Sequence, residues 1–221
     1  MNEQEARQSV VEACRRMNAL GINQGTSGNV SVRYGDEMLI SPSATQYEIM
    51  RAEDVAALPI EGEYGTWRGS LRPSTEWRFH LDIMRSRPGI GAVVHSHPTF
   101  CTTLAIARRD IPACHYMIAA FGGNDVRCAP YATFGSKELS ENALRALEGR
   151  NACLLANHGM IVCGASLDKA IWLAVELETI ARQYYHSLLI GGPVVLSEAD
   201  IAETIARFTT YGMQDRAKVA E

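Results

Sequence analysis

His95 and His97 stand two residues apart in Val93-Val94-His95-Ser96-His97-Pro98. On an extended strand alternate residues face the same side, so the two imidazoles can reach one metal ion. A third imidazole, His158, sits in Asn157-His158-Gly159 between two apolar runs, where the glycine would let the backbone turn sharply beside a ligand. Three neutral nitrogen donors with an open fourth position suit a catalytic zinc ion. Against this stands a plainer reading of three unrelated histidines, satisfied in a core or exposed. On these residues alone both readings remain open.

Glu76 is the carboxylate candidate. At a helix start a carboxylate is favoured by the helix dipole, which explains it without any chemistry. Facing a metal, it becomes a movable ligand or proton carrier, the group that metal-assisted chemistry next to a carbonyl requires. Three segments, Thr26-Ser27-Gly28-Asn29, Ser41-Pro42-Ser43-Ala44 and Ser74-Thr75, are rich in hydroxyls and free amides. Turns and helix starts of this kind present N–H groups to a phosphate without any lysine. Each alone is an ordinary turn; converging on one pocket, they make an anion site.

The elements that must position these groups can be read in order. Ala6, Val10, Cys14 and Met17 recur at helical spacing over 3–20, with Asn2 and Glu5 as a capping box and Gly21 as the stop. The glycine-bearing loop at 25–29 feeds a hairpin of Val30–Arg33 and Met38–Ile40 around Tyr34-Gly35-Asp36. Further strands are expected at 55–60 and 63–67. Pro73-Ser74-Thr75 opens a helix to about Arg85 with Glu76 in its first turn. Gly91–Val94 reads as a buried strand that delivers His95. Strands follow at 152–156 and 160–163, with helices at 136–148, 166–190 and 198–210, the last started by Ser197 with Asp200. The pattern predicts an α/β domain over 1–221, a mixed sheet flanked by helices.

A chain of 221 residues, 47% hydrophobic and 21% charged, suits one compact domain with a packed core. The net charge of −4 carries no basic footprint for nucleic acid, and no stretch approaches membrane-spanning length. The start, Met1-Asn2-Glu3-Gln4-Glu5, lacks the basic and apolar regions of a secretory signal, so a cytoplasmic location is expected. Six scattered cysteines without a C-x-x-C pair are read as reduced.

The chain resembles the class II aldolase/adducin family nearly end to end. The resemblance is carried by Gly25-Thr26-Ser27-Gly28-Asn29-Val30-Ser31-Val32-Arg33-Tyr34, Ser74-Thr75-Glu76-Trp77-Arg78-Phe79-His80, Val93-Val94-His95-Ser96-His97, His115-Tyr116-Met117-Ile118-Ala119-Ala120, Cys128–Gly135 and Thr210-Tyr211-Gly212. It implies one zinc ion per subunit on His95, His97 and His158, with Glu76 as a fourth ligand that leaves when substrate arrives and then shuttles the proton. It implies a phosphate pocket of Thr26, Gly28, Asn29, Ser43, Ala44, Ser74 and Thr75. Tyr116 would act from a neighbouring subunit at the aldehyde oxygen, Phe134 would line the pocket and Tyr211 would close over it. The implied fold is a largely antiparallel sheet covered by helices, assembled as a cyclic homotetramer with interfacial active sites. The implied reaction is reversible cleavage of a ketose 1-phosphate, L-fuculose 1-phosphate-like, to dihydroxyacetone phosphate and an aldehyde.

Family aldolases acting on 5-deoxyribulose or methylthioribulose 1-phosphates share the dihydroxyacetone-phosphate half and stay open. A pentulose-phosphate 4-epimerase is disfavoured because aspartate is expected where Glu76 stands, a methylthioribulose-1-phosphate dehydratase uses similar ligands, and a non-catalytic adducin-like domain would lose the histidines. Ser43-Ala44 departs from a family Thr-Gly pattern, placing a methyl where backbone must approach the phosphate or adopt positive φ. Outside the family, a metalloprotease reading of His95-Ser96-His97-Pro98 needs an aspartate where Arg108 stands, with Asp110 two residues too late.

Overall fold

The computed structural model describes residues 1–208. Helix α1 (Glu3–Ala19) is closed by the expected capping box: Glu5 N–H donates to Asn2 Oδ1 at 2.9 Å, and Asn2 N–H donates to Glu5 Oε2 at 2.8 Å. Its buried stripe of Ala6, Val10, Cys14 and Met17 packs on the sheet. The strands are β1 (Asn29–Tyr34), β2 (Glu37–Ile40), β3 (Ala56–Pro59), β4 (Ala92–Ser96), β5 (Ile111–Pro112), β6 (Asp125–Ala129), β7 (Ala152–Leu155) and β8 (Gly159–Gly164). They form a sheet in the order β3-β2-β1-β4-β8-β7-β6-β5. Neighbours pair antiparallel except β6 with β7, which run parallel. The mixed, mostly antiparallel sheet flanked by helices is therefore observed.

Strand side chains alternate between two covered faces, which is why β4 and β8 read as nearly continuous apolar runs. Val30, Val94, Leu154 and Val162 face one core with α1, α3 (Thr99–Ile106) and α5 (Leu167–Leu188). Ile40, Val93, Leu155 and Ile161 face the other with α2 (Trp77–Ser86) and α4 (Lys137–Ala146). Ser136 and Ser166 cap α4 and α5 by accepting from Leu139 and Lys169 N–H. Helix α6 (Glu198–Phe208) is capped by Ser197 with Asp200 and packs on a 3-10 segment, Tyr116–Phe121.

Some expectations need correction. Residues 63–67 form no strand; only Arg68 makes a bridge, to Ala57, and the Tyr64 ring lies between the Arg78 and Arg85 guanidiniums, 4.3 and 4.2 Å from its centroid. Contact with α2 overrides local β propensity there. Helix α2 begins at Trp77 and Glu76 is its N-cap residue rather than part of its first turn. Helix α3, β5 and β6 were not anticipated. None of the six cysteines is bridged. Among the described residues no helix is long and apolar enough to cross a membrane.

Candidate active site

Three neighbouring strands end at one place. Strand β4 delivers His95 at its end and His97 just beyond it, while β1 starts beside it with Asn29 in register opposite His95. Strand β8 pairs on the other side, and the turn entering it carries His158. The turn is made by Asn157, at φ 55, and not by Gly159 as the sequence suggested. Gly159 serves close approach instead. A Cβ there would lie 2.5 Å from both Ser96 O and His97 Cδ2, so any side chain would push the His158 turn off the strand end.

The three imidazoles form a near-equilateral cluster with ring centroids 4.8, 4.8 and 4.9 Å apart. Their ligand nitrogens all lie within 4.8 Å of one another. His95 Nδ1–H donates to the Met160 carbonyl at 2.8 Å, which leaves the Nε2 lone pair facing the cluster. That Nε2 is 3.0 Å from His97 Nε2 and 3.1 Å from Glu76 Oε2, and Glu76 Oε1 is 3.3 Å from His158 Nε2. Ring lone pairs held this close repel unless a proton or cation lies between them. Glu76 Oε1 is also a buried oxygen with no hydrogen-bond donor. Three nitrogens and a carboxylate around one point fit a divalent metal ion.

The electrostatics of His97 and His158 agree with that use. Burial, reinforced by the nearby His95, pushes His97 down to about 3 and His158 down to about 4, so both rings are neutral, the form a metal ligand needs. Burial opposes ionisation of Glu76, but His95 and His158 beside it outweigh that and hold its carboxyl well below the usual range. Burial alone would lower His95, and the adjacent Glu76 reverses the direction.

Beside the cluster opens a cleft of about 370 Å³ lined by Ser27, Thr75, Glu76, His97, Tyr131, Ala132, Phe134, Asn157 and His158. A larger cleft along the end of α5, about 720 Å³, is bordered by Arg182, Gln183, His186, Leu189 and Ile190 and, among the described residues, holds no cluster of metal-ligating side chains.

Residues 8–185 match the family described as Class II Aldolase and Adducin N-terminal domain. The chain belongs to the class II aldolase/adducin family. It is 51% identical over 206 residues to a 5-methylthioribulose-1-phosphate/5-deoxyribulose-1-phosphate aldolase of Rhodospirillum rubrum, covering 93% of this chain and 92% of the relative. It is 47% identical over 215 residues to an L-fuculose phosphate aldolase of Escherichia coli K12, covering 97% and 99%. A solved L-fuculose 1-phosphate aldolase superposes with a TM-score of 0.90 at 36% identity, covering 95% of this chain and 98% of that one. The enzyme class is that of an aldolase, a lyase.

Within this class II aldolase the expected residues fall into three groups. Glu76, His95, His97, His158, Thr75 and Phe134 meet at the cluster or its cleft. The three hydroxyl-rich segments are tied together next to it. Val30 N–H donates to Ser41 Oγ at 3.2 Å, Ser74 N–H to the Ser41 carbonyl at 3.0 Å, and Glu76 N–H to Ser74 Oγ at 3.3 Å. Gly28 packs where a Cβ would lie 2.7 Å from the His95 carbonyl, and Asn29 Nδ2 donates to Glu76 Oε2. Thr26 and Ser43 lie on these segments outside the cleft lining, and Ala44 takes φ 51, the positive value its position raised as a concern. Tyr116, half-exposed on its 3-10 turn, does not line the cleft of its own chain, and Tyr211 lies outside the described residues.

Several contributors escaped the sequence. Tyr131 and Asn157 line the cleft, and the sequence segments that contain them gave them no site role of their own. Glu178 on α5 accepts from Phe100 and Cys101 N–H, both at 2.9 Å, and so caps α3 immediately after His97. Nothing local links Glu178 to His97. His80 had a signal, a histidine one helical turn after Glu76, and it is fully buried.

Proposed function

We propose that the protein reversibly cleaves a ketose 1-phosphate into dihydroxyacetone phosphate and an aldehyde, with one zinc ion per subunit on His95, His97 and His158. The observation that carries this reading is the convergence of three ring nitrogens, two of them, on His95 and His158, standing 3.1 and 3.3 Å from a buried carboxylate. A bound zinc ion supplies Lewis-acid stabilisation of the negative charge that develops on the substrate oxygens as the carbon–carbon bond breaks. Glu76 carries a proton to the carbon that becomes part of dihydroxyacetone phosphate, and removes it in the synthetic direction. Its burial in the floor of the cleft keeps bulk water from competing for that proton.

Thr26, Gly28, Asn29, Ser43, Ala44, Ser74 and Thr75 hold the phosphate, because their segments are hydrogen-bonded into one patch beside Glu76. Tyr116 moves the proton at the aldehyde oxygen from a neighbouring subunit of a cyclic homotetramer; its exposure and its absence from its own chain's cleft support that role. Phe134 and Tyr211 cover the aldehyde half. Zinc and a soluble, cytoplasmic setting fit the histidine set and the relatives' activity.

L-Fuculose, 5-deoxyribulose and 5-methylthioribulose 1-phosphates share the dihydroxyacetone-phosphate half and end in a methyl or methylthio group. The aromatic rim of Tyr131 and Phe134 suits such an end, and the relative at 51% identity acts on the last two. A coupled assay for dihydroxyacetone phosphate across these three substrates, with zinc-replete protein, tests the reading. Release from at least one is expected; release from none overturns it.

A further inference from the structure

We propose that His80, acting through Asn29, is a positioning residue that fixes Glu76 and divides its two carboxylate oxygens into a held one and a free one. The proposal rests on the reading of Glu76 as a proton carrier beside a metal ion. His80 is not one of the clustered histidines, yet it is completely buried on α2 between Phe79, whose ring stacks on it at 4.7 Å, and the sheet. Its Nδ1 lies 2.8 Å from Ser31 Oγ and its Nε2 2.5 Å from Asn29 Oδ1. Asn29 Nδ2 in turn donates to Glu76 Oε2 at 3.0 Å. Ser31, Asn29 and Glu76 are all buried.

The direction of this chain of bonds is dictated from its Glu76 end. An ionised carboxylate only accepts, so Asn29 must turn its amide NH2 towards Glu76. Its Oδ1 then faces His80, which must donate through Nε2–H. That tautomer leaves a lone pair on Nδ1, and the Ser31 hydroxyl donates to it. One arrangement satisfies every group; the opposite tautomer sets Nε2 and Asn29 Oδ1 lone pair to lone pair. A buried polar network with one solution is rigid, because each broken bond leaves a buried polar group unpaired.

The consequence falls on Glu76. Oε2 receives the Asn29 donor and sits 3.1 Å from His95 Nε2. Oε1 faces His158 Nε2 at 3.3 Å but receives no hydrogen bond, from Asn29 or any other donor. Of the two, Oε1 is therefore the oxygen that takes up and delivers the substrate proton, while Oε2 is the anchor about which the carboxylate turns. His80 touches neither substrate nor metal, and works only by keeping the Asn29 amide aimed.

The test uses the zinc-loaded and cobalt-substituted protein and three variants. His80→Phe keeps the ring volume and the stacking on Phe79 but removes both nitrogens. His80→Gln returns an N–H to Asn29, and Ser31→Ala releases the tautomer. Zinc affinity is measured by competition with a chromophoric chelator, the cobalt site by its visible spectrum, and catalysis as separate kcat and KM. For His80→Phe with a native circular dichroism spectrum, the expected result is a roughly 10–100-fold loss in zinc affinity or kcat with KM little changed and an altered cobalt spectrum. His80→Gln should recover much of the loss, and Ser31→Ala should fall between. A folded His80→Phe with wild-type zinc affinity, cobalt spectrum and kcat overturns the proposal. Should His80→Phe fail to fold, an unaltered cobalt spectrum in Ser31→Ala overturns it and an altered one supports it. A wild-type protein that releases no dihydroxyacetone phosphate defeats the aldolase substrate reading instead, since zinc affinity and the cobalt spectrum report on Glu76 independently of turnover.

Discussion

The floor of the cleft and its rim are built in opposite ways. The floor is His95, Glu76 and Asn29, at 0, 5 and 4% exposure, set on strand ends and a helix start and tied by hydrogen bonds within one chain. The rim is Tyr131 and Phe134, at 54 and 64% exposure, with Tyr116 at 51% standing away from it. Three aromatics so exposed leave apolar surface uncovered, whereas the floor leaves only one carboxylate oxygen unpaired. On the proposed function, the chemistry common to ketose 1-phosphates belongs to the floor, and the choice of aldehyde to the rim. Damage to the floor should therefore abolish turnover, while damage to the rim should redirect or weaken it.

The largest effect is expected from emptying the metal site. Chelation of the proposed zinc should abolish turnover, and stoichiometric zinc should restore it, because no other group among the floor residues can stabilise charge on the substrate oxygens. Elemental analysis showing active protein without stoichiometric metal defeats this expectation and with it the distinction between floor and rim.

Glu76→Gln comes next. It keeps the shape and the Asn29 contact but removes the titratable proton, so kcat should fall roughly 10²–10⁴-fold with the fold intact. Near-normal kcat in a zinc-loaded Glu76→Gln protein would transfer the proton role to another group.

Much of the floor was legible in the sequence because it follows from local rules. The H-x-H spacing on a strand, the Ser-Thr-Glu helix start and the apolar runs flanking His158 are all short-range patterns. Glu76 was displaced by only one position, from first turn to N-cap, a normal uncertainty at helix ends. What stayed illegible depends on contacts distant in sequence. Glu178 reaches the start of α3 from about eighty residues away by its bonds to Phe100 and Cys101, and no spacing announces it. The role of Gly159 was misread because close approach to Ser96 is a property of strand pairing, which the tripeptide Asn157-His158-Gly159 does not contain. Residues 63–67 failed as a strand because Tyr64 packs between two arginines of α2.

A mixing experiment tests the rim. If Tyr116 serves a neighbouring subunit, Tyr116→Phe and Glu76→Gln each disable a different half of a composite site. Co-refolded mixtures of the two weak variants should regain activity, since some interfaces pair an intact Glu76 with an intact Tyr116. Each variant alone is the control. Mixed oligomers verified by mass that stay as inactive as the controls would place Tyr116 in its own chain's chemistry or in none.

The smallest effect is expected at Ala44, which lies outside the cleft lining. An L-residue at φ 51 is strained by roughly 1–2 kcal/mol relative to right-handed backbone. Ala44→Gly relieves that strain but gives the unfolded chain more freedom, worth roughly 0.5–1 kcal/mol in the opposite direction. The two partly cancel, so stability should rise by no more than about 1.5 kcal/mol, a thermal midpoint shift of at most about 3–6 °C at this chain length. Because the backbone already occupies the left-handed region, Ala44→Gly should leave kcat unchanged and move only KM, by the removal of one methyl beside the proposed phosphate site. Ala44→Val sharpens the contrast, since a β-branched residue resists φ near 51. It should lower the thermal midpoint and raise KM together, by disturbing the turn next to Ser43, whose N–H donates to the Arg72 carbonyl at 3.0 Å. Thermal unfolding and steady-state kinetics on both variants decide the matter: a Val variant with wild-type midpoint and KM would show that this turn neither carries strain nor shapes the substrate site.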